Sequence, residues 1–322
     1  MASGNDARLG IARETVYGTR VAPTRFFHFT GENFGFQPNR AFSSSLGLGR
    51  WTRTSKIVSK GGSGSLSGEV PTVGFGYLLD GLNSNPNTPV QIASTTAYTT
   101  TITLDTPVTK SFSGQIQTPP VGSSTLLPQD LTGITMGGLN LSWDPDGFLT
   151  YEIPTTVRNL QTDQSLATYV APGAWEPFSY LEGSLTIGGS AVAGIIGGGT
   201  LSIAMNMRTD AIEFGSSGLI AKPVETDKPT ASGEVTADFN DFTHLQRMLD
   251  NTVADVVLKF EGAIIAATNR YTFQVTIPDC VFTSPRPAVG GPGPVQQTIG
   301  FESASSTGDP VVITIISTGA TL

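Results

Sequence analysis

The chain has few of the residues on which enzymes and metal sites depend. Two of its 322 residues are histidines, His28 and His244, and one is a cysteine, Cys280. A single cysteine excludes an intrachain disulfide framework and is compatible with folding in a reducing compartment. No His-x-x-x-His or Cys-x-x-Cys spacing exists, so the sequence predicts no zinc site.

Charge is scarce as well. Charged residues make up 14% of the chain, against about 25% in typical soluble proteins. This low content favours a surface that is largely buried against partners, and a monomer with low surface charge is the alternative. The net charge is −8, and no Lys/Arg cluster has the density of a DNA-binding patch. The most basic stretch, residues 50–60, runs straight into the Gly/Ser segment 61–65. An interface loop explains this stretch better than a nucleic-acid site does.

Long hydrophobic runs are missing too. The longest apolar stretch, residues 191–203, is interrupted by glycines and is too short to span a bilayer. The first six residues lack the basic flank and the apolar run of a signal peptide. We therefore expect a protein that is made in a cytoplasm and does not insert into a membrane.

What the chain does have is the pattern of a mainly β protein. Its 38 glycines and 21 prolines separate segments in which apolar and polar residues alternate, as in strands with one buried face. The clearest hairpin has strands at 139–143 and 148–153 around the turn Asp144-Pro-Asp-Gly147. Asp144 and Asp146 do not have the ligand spacing of a calcium loop, so the turn is the preferred interpretation.

A local pattern occurs twice. Ser-Gly-Glu-Val stands at 67–70 and again at 232–235, in each case shortly before a short helix candidate. Two copies half a chain apart indicate a tandem duplication rather than a solenoid. The sequence predicts an N-terminal arm at 1–24, a first domain at 25–170 and a second at 171–322.

Each half is predicted to contain a strand, a long loop, a second strand, a short helix and a final group of strands. The long loops are placed at 40–65 and 208–230, and a linker at 155–172. Loops of this length are uncommon and usually functional or disordered.

The helix candidates differ in strength. In the first, residues 73–79, two glycines weaken the helix. The second, 240–249, has Asn240 as its expected N-cap, an apolar stripe and His244 on the opposite, exposed side. The stripe consists of Phe242, Leu245, Met248 and Leu249.

Catalytic chemistry finds little support. A serine nucleophile would need one of the two histidines, and no Gly-x-Ser-x-Gly elbow follows a strand; Ser63 lies in a Gly/Ser linker. Paired carboxylates of the glycosidase kind stay open. We therefore predict no enzyme, no catalytic residue, no cofactor-binding residue and no metal ligand.

Both ends of the chain carry motifs of one known family. The segment 11–26, with Glu14-Thr15-Val-Tyr17-Gly18-Thr19 followed by Ala22-Pro23-Thr24, resembles the opening of tail tube (major tail) proteins of long-tailed, siphovirus-type bacteriophages. Near the other end, Val275-Thr-Ile-Pro278, a Pro/Gly-rich turn and Val295-Gln-Gln-Thr-Ile-Gly-Phe301 are similar to the same family.

The resemblance implies two tube domains, each a β-sandwich or barrel with one flanking helix and a long loop that reaches the next ring. It implies self-assembly into stacked rings in a virion tail, with tape-measure, tail terminator and tip proteins as partners. Genomic DNA would pass through the lumen without specific binding, which an acidic lumen favours. A duplicated chain would form trimeric, pseudo-sixfold rings; hexamers stay open if one half is an outer decoration.

The alternatives from other classes are a capsid decoration or baseplate protein, and a carbohydrate-binding module. A binding module would show an aromatic platform, whereas the tryptophans, Trp51, Trp143 and Trp175, are spread along the chain.

Overall fold

The computed structural model describes residues 3–46, 49–52, 54–123, 125–173, 175–283, 286–289, 291–304 and 308–322. The first half contains β1 Arg8–Arg13, β2 Arg25–Phe27, β3 Gly31–Asn33, β4 Gln37–Phe42, β5 Ser55–Glu69, α1 Phe75–Leu79, β6 Val90–Gln91, β7 Tyr98–Thr103, β8 Phe112–Thr118, β9 Leu127–Met136, β10 Gly138–Trp143, β11 Thr150–Val157 and β12 Asn159–Gln161. The second half contains β13 Gly183–Ile187, β14 Ser190–Ala191, β15 Ile195–Ala204, β16 Met207–Arg208, β17 Val224–Glu225, β18 Thr230–Asp238, α2 Thr243–Leu249, β19 Ala254–Ala266, β20 Asn269–Phe282, β21 Gln296–Ser303 and β22 Val312–Ser317. The predicted mainly β fold is confirmed.

Hydrogen bonding joins these strands into one antiparallel network of 20 strands, beside the small β16–β17 pair. One run of neighbouring strands has the order β3, β5, β11, β10, β15, β18, β21. Its buried side chains join those of the remaining strands in a single hydrophobic core. Along these strands buried residues alternate with more exposed ones, as expected for an antiparallel sheet with one face in solvent.

The strand pairings of the first half recur in the second half, in the same chain order. β1 pairs with β2 and β8, β8 with β9, β9 with β12, β10 and β5 with β11, and β3 with β5. Correspondingly, β13 pairs with β14 and β19, β19 with β20, β20 with β22 and β21, and β18 with β21 and β15. In this correspondence β20 matches both β9 and β10. The first half has two separate strands there, whereas the second half has one continuous strand.

Two strand pairings connect the halves. β10 of the first half pairs with β15 of the second, from Gly138 opposite Ala204 to Trp143 opposite Gly199. The C-terminal β22 pairs with β7 of the first half. The halves therefore share sheet hydrogen bonds as well as a core.

Both predicted helices are present, and each follows a Ser-Gly-Glu-Val strand. In α1, Phe75, Leu78 and Leu79 are buried, and their packing offsets the low helix propensity of the glycines. Gly74 precedes the helix at φ 89°, a conformation that glycine adopts without strain.

The predicted cap and faces of α2 need correction. Asp241, not Asn240, accepts the backbone N–H of Thr243, because the helix begins at Thr243 with Phe242 as its N-cap residue. The side-chain amide of Asn240 instead donates to the carbonyl of Ala193. Phe242 and Leu249 are 60% and 67% exposed. The helix lies against β20 through other residues, so part of the apolar stripe predicted to be buried faces outward.

The predicted long loop at 40–65 is in fact a β-hairpin with strands β4 and β5. Gly and Ser have low strand propensity, which hid this structure in the sequence. Backbone pairing with β4 and β11 stabilises β5 in spite of its composition. Two smaller corrections belong here: the arm 1–24 includes β1, and the linker 155–172 begins with the end of β11 and β12.

Candidate assembly surfaces

One sheet face carries short polar and acidic side chains. It belongs to the strand run β5, β11, β10, β15, β18 and β21, whose alternate residues pack into the core. We call this surface the polar face. It consists of Ser65, Ser67, Glu69, Asn140, Ser142, Thr150, Glu152, Thr200, Ser202, Ser232, Glu234, Thr236, Thr298 and Glu302.

Strand register aligns these residues in rows across both halves. One row passes through Ser67, Glu152, Asn140, Ser202, Ser232 and Glu302. The next row passes through Glu69, Thr150, Ser142, Thr200 and Glu234. Direct contacts join neighbours within each row: Ser202 Oγ donates to Asn140 Oδ1 at 2.7 Å in the first row, and the Ser142 and Thr150 hydroxyls lie 2.8 Å apart in the second.

All formal charge on the polar face is negative. Glu69 and Glu234 come from the two Ser-Gly-Glu-Val motifs, while Glu152 and Glu302 lie on the strands next to them. The face contains no Lys or Arg side chain. Since polyanions bind proteins chiefly through cationic side chains, this surface repels phosphate and offers DNA no anchoring contact.

The same packing lies beneath both pairs of glutamates. Gly68 is opposite Tyr151, and Gly233 is opposite Phe301. A Cβ atom at Gly68 would lie 2.8 Å from the Tyr151 ring, and one at Gly233 would lie 2.6 Å from the Phe301 ring. In each half, therefore, the motif glycine leaves room for an aromatic ring of the neighbouring strand.

The end of the β4–β5 hairpin exposes large apolar side chains. Phe42, Leu46 and Trp51 are 68%, 97% and 80% exposed, and Arg40, Arg50 and Lys56 are exposed around them. We call residues 43–54 the hairpin tip. Exposed aromatic and aliphatic side chains beside arginine are typical of protein–protein contacts.

The second predicted loop, residues 208–230, lies against the first half of the same chain. The backbone N–H of Lys60 donates to Gly218, and that of Ile220 donates back to Lys60, at 2.6 and 3.2 Å. The backbone N–H of Val108 donates to Glu225 Oε1 at 2.8 Å. This loop therefore packs onto β5 and the segment before β8.

Glu14 organises the N-terminal motif from inside the protein. Its buried carboxylate accepts the Ser111 and Ser113 hydroxyls at 2.7 and 2.9 Å. It also accepts the backbone N–H groups of Gly18 and Gly133 at 2.7 and 2.8 Å. One carboxylate thus connects the turn at Gly18 with β8 and β9; sequence reasoning did not identify this function for it.

A buried ion pair lies near α1. Lys110 Nζ is 2.6 Å from Asp80 Oδ1, and Asn87 donates to the same oxygen at 2.8 Å. Burial lowers the pKa of Lys110, and the hydrogen bond to Asp80 acts in the opposite direction. Lys110 also donates to Asn83 Oδ1 at 3.3 Å, and the other oxygen of Asp80 lies 3.5 Å from Arg13 Nη1. Partners on both oxygens of Asp80 are the arrangement of a structural pair.

The residues considered for catalysis lie apart. His28 is exposed and its ring lies 5.2 Å from that of Trp175. His244, predicted to lie on the exposed side of α2, is half-buried beside Phe282. Burial and the nearby Arg247 guanidinium lower the pKa of His244, against a smaller opposite effect of Asp241. Cys280 is buried, which raises its thiol pKa to about 12.

Over the described parts of the chain, no group of three His, Cys, Asp or Glu residues is arranged to hold a metal ion. Nor do those parts include a helix with the length and apolar character to cross a bilayer. Asp144 accepts the backbone N–H of Gly147 at 3.0 Å, which is the predicted turn.

Comparison with known proteins adds one match. No curated protein matches the sequence significantly. A family model described as phage tail tube protein matches residues 4–303, nearly the whole chain. The chain therefore belongs to the phage tail tube protein family.

Proposed function

We propose that this chain is a duplicated tube subunit of a long, non-contractile phage tail, and that three copies form a ring with pseudo-sixfold symmetry. Stacked rings form the tube, with the polar face lining the lumen through which DNA is ejected into the host. Membership of the family makes the chain a structural protein of the virion tail that assembles into a tube. The family is a structural one and not a family of enzymes.

The recurrence of the strand pairings is the observation that carries the duplication. The matching strands have the same neighbours in the same order, and Gly68 beneath Tyr151 corresponds to Gly233 beneath Phe301. Independent convergence on both features is harder to explain than descent from one repeated unit. We retain the arm at 1–24 and the domains at 25–170 and 171–322, with β1 of the arm completing the first unit.

The charge of the polar face supports its place in the lumen. A tube that conducts DNA must not hold it, and a surface of glutamates and hydroxyl groups has that property. The hairpin tip has the opposite character, apolar and basic, and suits a contact with the ring above or below. Heterologous contacts of this kind produce open filaments.

Negative-stain electron microscopy of the purified chain tests the proposal. We expect hollow tubes whose end-on averages have sixfold outlines, and native mass spectrometry of dissociated rings should give three chains per ring. Rings of six chains would contradict the trimer but not the tube. Monomers that form no tubes, even with tail terminator and tip proteins added, would contradict the proposed function.

The expected partners are other copies of the chain, a tape-measure protein and the terminator and tip proteins, and the expected location is the virion tail after synthesis in the host bacterial cytoplasm. Co-purification of tubes with the tape-measure protein from infected cells checks that part of the proposal.

A further inference from the structure

The junction between the two halves shows how one repeated unit adds to another. β10 and β15 pair along the polar face, with Asn140 opposite Ser202 and Leu141 opposite Leu201. The Ser202 hydroxyl donates to the Asn140 side chain at 2.7 Å. The first unit thus contributes one sheet edge, β10, and the second contributes the other, β15.

The second unit has its own counterpart of β10. Asn140 and Leu141 of β10 lie opposite Glu152 and Tyr151 of β11. In the same way, Val281 and Phe282 at the end of β20 lie opposite Glu302 and Phe301 of β21. Tyr151 and Phe301 occupy equivalent positions, because each lies opposite the glycine of a Ser-Gly-Glu-Val motif. Their partners on the next strand are therefore equivalent as well: Phe282 corresponds to Leu141, and Val281 to Asn140.

The first unit has its own counterpart of β15. Ser202 of β15 lies opposite Ser232, and Gly31 of β3 lies opposite Ser67. Ser67 and Ser232 open the two Ser-Gly-Glu-Val motifs, so Gly31 corresponds to Ser202. The preceding residue, Thr30, then corresponds to Leu201.

Both counterparts have an open edge within the single chain. Among the described strands, β3 pairs with β5 alone, and Val281 and Phe282 pair with β21 alone. Glu32 and Asn33 of β3 are exposed. An open strand edge is a template for pairing with another chain. These two edges are equivalent to the edges of β10 and β15, which pair with each other inside the chain.

We propose that the end of β20 in one copy pairs antiparallel with β3 of the next copy, with Val281 opposite Gly31 and Phe282 opposite Thr30. The partner is a second copy of this chain, and the argument rests on the proposed ring. The contact repeats the β10–β15 junction between chains, so the polar face continues from subunit to subunit. Since the two edges differ, the contact is heterologous and closes a ring when the rotation permits.

Engineered disulfides test this register. In a Cys280→Ala background, the variant Val281→Cys with Gly31→Cys places two thiols at directly opposite positions. Opposite residues of an antiparallel pair have Cβ atoms about 4.5–5.5 Å apart, close to the range that a disulfide spans. Gly31 can accept a side chain, because no heavy atom lies within 4 Å of the Cβ position.

We expect oxidised rings of this variant to give covalent dimers and trimers on a non-reducing gel, with most chains cross-linked, and monomers after reduction. A positive control is Asn140→Cys with Ser202→Cys, the matching pair within one chain, which should form a disulfide without any increase in mass. A register control is Val281→Cys with Asn33→Cys, two residues away on the same face, and it should cross-link at least tenfold less.

Failure of the two ideas can be told apart. Rings that form normally but give no cross-link, or cross-link equally in the register control, overturn the junction and leave the tube intact. If the parent chain forms no rings under any condition, the proposed function fails and the junction fails with it.

Discussion

Glu14 illustrates how much of the N-terminal motif depends on one side chain. Its carboxylate is the acceptor for two hydroxyls and two backbone N–H groups. An amide at this position would present hydrogens to several of these donors. We expect Glu14→Gln to lower the free energy of unfolding by about 3 kcal/mol, because buried hydrogen bonds to a charged group contribute about 1.5–3 kcal/mol each. Urea unfolding followed by tryptophan fluorescence measures the change.

Glu152→Gln provides a matched control for this prediction. It makes the same chemical change on the exposed polar face, where the free energy of unfolding should change by less than about 0.5 kcal/mol. Equal effects of the two substitutions would show that the hydrogen bonds of Glu14 do not stabilise the fold.

Among the elements, the β4–β5 hairpin combines a long reach with an apolar end. Deleting all of 40–65 would also remove residues 62–65, half of the β5 segment that pairs with β11. A sharper change replaces only the hairpin tip, residues 43–54, by Asn-Gly, which favours a two-residue hairpin turn between Phe42 and Ser55. We expect a folded chain with the strand signal of the parent in far-ultraviolet circular dichroism that forms rings but no tubes in electron micrographs.

A second variant separates the length of the hairpin from its apolar contacts. Leu46→Ser with Trp51→Ser keeps the length of the tip but removes exposed apolar area, and tubes should become shorter and more easily dissociated. Full-length tubes from the variant with the tip replaced would contradict a stacking function for the hairpin.

Sequence reasoning succeeded where the signal was local and failed where it depended on distant partners. The alternation around the Asp144–Gly147 turn predicts β10 and β11, and both helices were located. The Gly/Ser composition of β5 hid a 15-residue strand, because its stability comes from pairing with three other strands, β3, β4 and β11. The function of Glu14 was hidden for the same reason: its partners on β8 and β9 are about a hundred residues away in sequence.

The polar face was only partly predictable. Alternation indicates that Glu69 and Glu152 share the exposed side of their strands. It does not indicate that β10 pairs with β15 and so joins the two halves into a single acidic surface. That step requires the strand register, which no local pattern in this chain specifies.

At the scale of the whole molecule, the duplication multiplies the charge of the polar face. Each chain places its four glutamates in two equivalent pairs, and a ring of three chains would repeat the pair six times around the lumen. A single glutamate has little effect on DNA in the lumen, but several that line one cavity together produce a continuous negative potential. DNA would then move along a wall that offers hydroxyl groups for hydration and no cation for binding.

Replacing glutamates of the polar face by lysines should make the tube retain DNA instead of letting it pass. We expect tubes of Glu152→Lys with Glu302→Lys to retain a short DNA duplex present during assembly, protect it from nuclease at low salt and release it as salt rises, because phosphate contacts are lost as log[salt] increases. Glu176→Lys with Glu261→Lys makes the same change in net charge at exposed residues outside the polar face. These control tubes should leave any bound duplex open to digestion. Equal protection by the two variants, or none by the first, would contradict a luminal position for the polar face, since only a surface inside the tube can both bind the duplex and shield it from the enzyme.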